Sequence, residues 1–173
     1  YVAVDPNDPT KAYVTLQEAN AIGVLDIPSA TFTAIIPLGL KDHGIAGNEI
    51  SASDTDNVFS PGLYDNVYGM YQPDGIAAVD IGGTTYLITA NEGDARTDWP
   101  GYNEEARISA LNLDPTAFPD LNGNGKADVV DAIGRLTVSV ATGDTDGDGD
   151  YDQLHVFGGR SFSVWTLDGQ QVF

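Results

Sequence analysis

The sequence contains no cysteine, and this absence removes several classes of function at once. Disulfide bonds, thiolate catalysis and cysteine-based zinc sites all require the missing residue. Histidine is also scarce, with two in 173 residues, so a catalytic metal site rich in histidine is excluded. Any metal that this chain holds must therefore bind to oxygen ligands, chiefly carboxylates.

Basic residues are few. Lysine and arginine total 7 against 26 aspartates and glutamates, which gives a formal net charge of −19 and a pI near 4.1. Nucleic acids and anionic membranes attract proteins through basic surfaces, so we expect no nucleic-acid partner and no charge-driven membrane binding. Acidic groups instead suit cation binding, and we expect an extracellular or cell-surface location where calcium is plentiful.

Long apolar runs and familiar catalytic motifs are missing as well. No run approaches transmembrane length, so we expect no direct membrane insertion of this segment. No G-x-S-x-G elbow, Walker loop or dinucleotide-binding fingerprint is present. The chain starts at Tyr1 rather than at methionine and stops in an apparent strand, so we expect an internal piece of a longer protein.

What the sequence does contain is a series of short apolar, β-branched runs separated by Gly, Pro, Asn and Asp. This pattern predicts an antiparallel all-β fold, with turns at residues 5–9, Gly82-Gly83 and Asp168-Gly169. The predicted strands are Tyr1–Val4, Ala12–Leu16, Ala21–Ile27, Phe32–Pro37, Gly75–Ile81, Thr85–Ala90, Arg107–Leu113, Leu136–Val140, Leu154–Phe157, Phe162–Leu167 and Gln171–Phe173.

An internal repeat favours a particular all-β architecture. Residues 13–26 form a strand, turn and strand pattern that recurs in 86–91 with 108–113, and again in 154–165. Repeats of this kind indicate a β-propeller fragment of about three four-stranded blades with calcium-binding loops; a generic β-sandwich is the alternative. The blade-like units would span about 1–38, 73–140 and 136–173, within one propeller domain incomplete at both ends. The remainder of that propeller would then be a partner of this chain.

Two long connections, residues 39–74 and 91–105, interrupt the repeat. In a propeller, both would emerge on the same face, at the rim of the central channel. Five aromatic residues occur in them, and these could stack on a glycan, contact a protein or simply anchor the loops. They are Tyr64, Tyr68, Tyr71, Trp99 and Tyr102. Four polar residues of the first connection could face the same channel: Asp42, His43, Gln72 and Asp74.

Residues 120–131 match the spacing of an EF-hand calcium loop. The predicted ligands are Asp120, Asn122, Asn124, the backbone carbonyl of Lys126, Asp128 and Asp131. Gly125 stands at the position of the sharp turn. Asp131 replaces the usual bidentate glutamate, a departure that resembles dockerin-type loops. A surface turn without a metal is the alternative.

Residues 144–152 place five carboxylates on alternate positions: Asp144, Asp146, Asp148, Asp150 and Asp152. Without a cation, such neighbours repel one another and raise one another's pKa, so Ca²⁺ is again the expected cofactor. The twelfth position holds His155, a poor calcium ligand, so the run departs from the EF-hand pattern. A disordered acidic linker is the alternative. We expect both loops to stabilise the fold.

The insertion at 91–105 and the residues after it hold opposed charges that suggest candidate catalytic residues. These candidates are Glu92, Asp94, Arg96, Glu104 and Arg107. Acids beside arginines can hold a metal and grip a phosphate, which would allow phosphoester hydrolysis. An ion-pair network that orders the inserted loop is an equally good interpretation.

Several segments resemble known families. Residues 11–27, KAYVTLQEANAIGVLDI, are similar to YVTN-type propeller repeats. PLGLKDH at 37–43, YQPDG at 71–75, YLITANEGDAR at 86–96, EEAR at 104–107, GDTDGDGDYD at 143–152 and FGGRSF at 157–162 together resemble the choice-of-anchor I family. The resemblance implies an exported or surface-anchored, calcium-containing bacterial propeller, in a family where some members carry an atypical alkaline phosphatase annotation.

Two functional hypotheses follow. The first is a non-catalytic extracellular calcium-binding module with a binding or structural role. The alternative is a calcium-dependent phosphoesterase, and the sequence leaves open whether the protein is an enzyme. A protein, glycan or phosphoester could bind at the 39–74 and 91–105 loop face.

Overall fold

The computed structural model describes residues 1–52 and 58–173 and confirms the all-β prediction. The described chain forms three sheets, one short α-helix and two 3-10 turns, within two compact units. The strands are β1 (Val2–Val4), β2 (Lys11–Leu16), β3 (Ala21–Asp26), β4 (Thr31–Pro37), β5 (Leu40–Asp42), β6 (Val67–Met70), β7 (Pro73–Ile81), β8 (Thr84–Asn91), β9 (Glu105–Arg107), β10 (Thr137–Ser139), β11 (Leu154–Phe157) and β12 (Ser161–Trp165).

The first unit comprises Tyr1–Leu40, Met70–Asp94 and Gly158–Phe173. Its first sheet is an antiparallel meander in the order β1-β2-β3-β4. Alternate residues point to opposite faces of these strands, so Tyr13, Ile22 and Ile36 enter one core. The pairing of β3 with β4 has a register shift between Val24 and Leu25, where a bulge bends the strand.

The second sheet of this unit has the order β12-β8-β7. Gly82 and Gly83 connect β7 to β8, as predicted, with φ of 63° and 85°; positive φ at both positions is the signature of a hairpin turn whose twist matches the strands. Trp165 and Leu87 complete the core. The Trp165 indole N–H donates to Thr89 Oγ1 at 2.9 Å, so its one polar atom is satisfied inside.

The second unit comprises Lys41–Gly69 and Ala95–Phe157. It holds nearly all of the five-stranded sheet, ordered β5-β6-β11-β10-β9, and the helix α1 (Asp128–Ile133). Its core gathers Val67, Val138 and Val156 from the strands with Ile108 from a 3-10 turn, Phe118 from a connection and Ile133 from α1. Part of this core therefore comes from segments outside the sheet.

Three sequence predictions about strands were wrong. Arg107–Leu113 is not a strand: β9 ends at Arg107 and a 3-10 turn (Ile108–Ala110) follows, because this turn buries Ile108 completely in the core. Gln171–Phe173 forms only an isolated bridge, at Gln171. The strands β5 and β6 lie within the 39–74 connection, where none was predicted; residues 53–57 of that connection lie outside the described residues.

The predicted repeats are distributed among the sheets in a different way from the sequence pattern. Residues 86–91 pair with β7 and β12, whereas β9 belongs to the five-stranded sheet. The strands β11 and β12, expected to be a hairpin, also join different sheets, since the chain turns at Gly158 with φ of 81°. Among the described residues, only 1–38 form a four-stranded meander; the other two described sheets have five and three strands.

Candidate functional site

The first candidate calcium loop winds around Asp120. The Asp120 carboxylate accepts backbone N–H groups from Gly123, Asn124 and Gly125 at 2.7, 3.1 and 2.7 Å. Gly123 and Gly125 have φ of 74° and 86°, a conformation that glycine adopts without strain. These contacts close a tight loop around the Asp120 carboxylate.

The ligands predicted for this loop converge. The Asn122 amide donates to Asp128 Oδ1 and to Asp131 Oδ2 at 3.0 Å each, and the Asn124 amide donates to the same Asp131 oxygen at 2.6 Å. These hydrogen bonds lower the pKa of Asp131 and keep it ionised. Lys126 is exposed, and its backbone N–H donates to Asn124 Oδ1. Asp128 also begins α1.

The second loop repeats several backbone hydrogen bonds of the first at equivalent positions. Asp144 accepts backbone N–H groups from Gly147 and Gly149, as Asp120 does from Gly123 and Gly125. The Asp148 N–H donates to Asp146 and the Asp150 N–H donates to Asp148, which matches the two Asn-centred turns of the first loop. The loop that departs from the EF-hand pattern in sequence therefore shares its backbone path.

The last position of the EF-hand pattern separates the two loops. In the second loop it is His155, which lies on β11, is 8% exposed and bonds through its ring nitrogens to Thr142 and Gln153 at 2.8 and 3.1 Å. Burial lowers the pKa of His155, so the ring is neutral at pH 7. These contacts make His155 part of the structure of β11, so a cation in the second loop would have to take another oxygen ligand in its place.

Asp114, which sequence reasoning missed, lies beside two acids of the second loop. A backbone bridge pairs Leu113 with Tyr151, and the Asp114 N–H donates to the Tyr151 carbonyl at 3.1 Å. One oxygen each from Asp114, Asp150 and Asp152 then lies within 4.8 Å of the others. No sequence spacing connects residue 114 to this loop, so only the tertiary structure could reveal it.

Asp150 has the least favourable surroundings of these acids. Its Oδ1 atom is shielded from solvent and has no hydrogen-bond partner among the described residues. Burial raises the pKa of Asp150, and the negative charges of Asp148, Asp114 and Asp152 raise it further. A cation is the group that would relieve both effects at once.

The carboxylate oxygens in this region lie close enough together to share one Ca²⁺ ion. Calcium takes six to eight oxygens at about 2.3–2.6 Å, so two ligands of one ion lie at most about 5 Å apart. Asp144, Asp146 and Asp152 form a second group within 4.8 Å, so Asp152 belongs to both groups. The donor set is exclusively oxygen, which excludes soft metals and fits calcium.

The charged insertion is organised around Arg96 and Glu104. The Arg96 guanidinium donates to both carboxylate oxygens of Glu104, at 2.8 and 2.9 Å, and Ser139 Oγ donates at 2.8 Å. Glu104 is 2% exposed. Burial alone would raise the pKa of Glu104, but the hydrogen bonds from Arg96 and Ser139 outweigh it and lower the pKa. This pair orders the loop, as the second interpretation of the charges expects.

The other candidate catalytic residues have different contacts. The Arg107 guanidinium donates to the Arg135 carbonyl, next to the end of α1. Glu92 and Asp94 are exposed and belong to the first unit, where the Asp94 carbonyl accepts the Gln72 side-chain amide at 2.6 Å. The described contacts give the phosphoesterase hypothesis no support, and it stays a prediction.

Several polar residues of the two connections are structural. Gln72 is fully buried, and its side chain bonds to the Asp94 carbonyl and to the Gly158 N–H. His43 is also buried, with Nδ1 2.7 Å from the Asn48 carbonyl. Of the five aromatic residues in these connections, Tyr71 lies in the core of the first unit, whereas Trp99 and Tyr102 remain exposed.

Comparison with known proteins gives one result. The family model described as "Choice-of-anchor I domain" matches residues 1–173, the whole of the chain. No curated protein and no solved structure matches significantly. Within the residues that the structure describes, no helix has the length and apolar character needed to cross a membrane.

Proposed function

The chain belongs to the choice-of-anchor I domain family, and from this membership and its two matched loops we propose that it is a calcium-stabilised propeller module of a secreted or surface-anchored bacterial protein. The family name itself fits a surface-associated protein. The proposed role is binding or structural, with Ca²⁺ as the cofactor. The single observation that carries the calcium proposal is the similar pattern of backbone hydrogen bonds in residues 120–128 and 144–152.

The proposed ligands follow from that pattern. In the first loop they are Asp120, Asn122, Asn124, Asp128, Asp131 and the Lys126 carbonyl. In the second loop they are drawn from the five alternating aspartates at 144–152, and Asp114 takes the role that His155 cannot fill. A bound ion would neutralise charges that otherwise repel, and it would link residues 112–114 to the 144–152 loop.

The first sheet supports the propeller part of the proposal. Its second face carries the row Val2, Val14, Gly23 and Ile35, which are cross-strand partners. The Phe32 ring lies over Gly23 on the same face, as the 2.6 Å approach to a Cβ built there indicates. A sheet that is apolar on both faces is typical of one layer packed between others, as propeller blades are.

Calcium removal tests the stabilising role. A ligand present at one hundred times its Kd stabilises the folded state by about 2.7 kcal/mol, and a domain of this size shifts by roughly 2–4 °C per kcal/mol. We therefore expect chelation to lower the Tm by about 5 °C or more for each ion lost, and calcium addition to restore it. Differential scanning calorimetry with and without a chelator measures this.

Single variants separate the two loops. Isothermal titration of the chelated protein should give at least two calcium equivalents, with one lost in Asp131→Asn and a different one lost in Asp152→Asn or Asp114→Asn. Glu18→Gln removes one exposed charge far along the chain from both loops and is the matched control. A Tm that is indifferent to chelation, with no binding heat, would refute the calcium proposal.

A further inference from the structure

The exposed turn Trp99-Pro100-Gly101-Tyr102 presents two aromatic rings side by side. The Tyr102 N–H donates to the Trp99 carbonyl at 3.1 Å, and Gly101 has φ of 78°. Proline at the second position and a positive-φ glycine at the third are the pattern of a type II turn. Since proline fixes its own φ, the turn holds its ends in one arrangement. The ring centroids lie 6.3 Å apart, with the planes tilted by 46°.

Arg96 supports both rings from one side. Its guanidinium carbon lies 5.7 Å from the Trp99 ring centre and 5.5 Å from that of Tyr102. The guanidinium is itself fixed by the two hydrogen bonds to buried Glu104. The aromatic pair thus rests on a buried ion pair, which limits its motion and lowers the entropy that a ligand would have to remove.

The outer surfaces of the rings face water. Trp99 is 57% exposed and Tyr102 is 38% exposed. A loop anchor buries its aromatic ring, as Tyr71 does in the core of the first unit. The two rings could cover the Arg96–Glu104 pair with one side each. That role does not explain why their other sides are exposed to solvent.

The charges around the rings disfavour two classes of ligand. Arg96 already lies over both rings, so a second cation on their outer faces would compete with it for the same ring electrons and gain less from them. Glu104 neutralises Arg96, and the chain as a whole carries −19, so an anionic ligand would find no net attraction. A neutral molecule with an apolar face and polar edges remains. A pyranose ring has this form, with C–H bonds on its face and hydroxyl groups at its edge.

We propose that the Trp99–Tyr102 turn is a binding site for a neutral glycan, held by stacking of sugar rings on the two aromatic side chains. The site lies in the second unit and needs neither a propeller nor a catalytic metal. A glycan-binding surface would extend the binding role of this secreted or surface-associated module.

Titration with neutral oligosaccharides tests the proposal in calcium-containing buffer, so that the outcome is independent of the calcium experiment. The probes are hexasaccharides of β-1,4-glucose, β-1,3-glucose, α-1,4-glucose and β-1,4-mannose, with heparin as the anionic comparison. The chain has two tryptophans, and Trp165 is buried in the core, so a ligand-induced change of indole fluorescence reports on Trp99. We expect at least one neutral probe to change the emission and heparin to leave it unchanged.

Variants assign the binding to the turn. By isothermal titration, Trp99→Ala and Tyr102→Ala should each weaken the neutral probe by about tenfold or more, which is the scale of a lost aromatic stacking contact. Phe59→Ala, which removes another exposed ring, should bind as the unchanged protein does. Thermal melting checks that each variant is folded. Failure of every neutral probe, unaltered binding by Trp99→Ala, or binding of heparin alone would overturn the proposal.

Discussion

At the scale of the single residue, Glu104 shows how a charge that suggests catalysis in the sequence becomes structural in the fold. Glu104 is buried, and its carboxylate accepts two hydrogen bonds from the Arg96 guanidinium and one from the Ser139 hydroxyl. A buried carboxylate is stable only when its oxygens are satisfied in this way. The same contacts position Arg96 beneath Trp99 and Tyr102, so one buried acid determines the shape of an exposed surface.

Glu104→Gln should destabilise the protein at pH 7 by about 3 kcal/mol, because it leaves the Arg96 charge without its counter-ion. The folded-state pKa of Glu104 is lowered, so its stabilising effect is complete above the pKa of the unfolded chain and disappears as the pH falls through the folded value. The difference between wild type and Glu104→Gln in urea denaturation should therefore shrink from pH 7 towards pH 3.

The neighbouring exposed residue provides the control. Glu105→Gln makes the same change of charge at a surface position, and we expect an effect within about 0.5 kcal/mol. A Glu104→Gln deficit that stays constant down to pH 3 would contradict the assigned ion pair.

At the scale of the element, the turn between β11 and β12 connects two strands that belong to different sheets. Gly158 has φ of 81°, and its N–H donates to the Gln72 side chain. A Cβ at Gly158 would lie 1.9 Å from the Glu92 carbonyl oxygen. The chain can pass this point only without a side chain, so glycine is required where β11 and β12 part to join different sheets.

Gly158→Ala and Gly83→Ala form a matched pair that separates steric conflict from backbone strain. Both glycines have similar positive φ, but nothing lies within 4 Å of a Cβ at Gly83. We expect Gly83→Ala to cost about 1–2 kcal/mol from the left-handed conformation alone. Gly158→Ala should cost about 3 kcal/mol or more, since backbone must also move. Equal losses in chemical denaturation would show that the close approach to Glu92 is unimportant.

At the scale of the whole molecule, the two units differ in whether they contain proposed calcium ligands. Every proposed calcium ligand lies in the second unit, whose core depends partly on segments outside the sheet. The first unit contains two sheets around a core with Tyr13, Leu87 and Trp165. We therefore expect the two units to differ in how strongly they depend on calcium.

Hydrogen exchange followed by mass spectrometry can measure this difference. After chelation, the amides of β10, β11 and the 112–114 segment should lose protection, because the 144–152 loop no longer links them. The amides of β2 and β3 should keep theirs. Equal loss in both sets would indicate that calcium stabilises the chain globally instead.

The sequence alone determined the all-β class, the first four strands, the Gly82-Gly83 hairpin, the family and the composition of both acidic loops. These are local properties, because strand alternation, turn chemistry and ligand spacing depend on residues near one another in the chain. Only the tertiary structure decided that Ile108 ends a strand to fill a core, that β11 and β12 join different sheets, and that Asp114 approaches Asp150. Burial and long-range backbone pairing decide such features, and the energies of those contacts are not encoded in any short stretch of sequence.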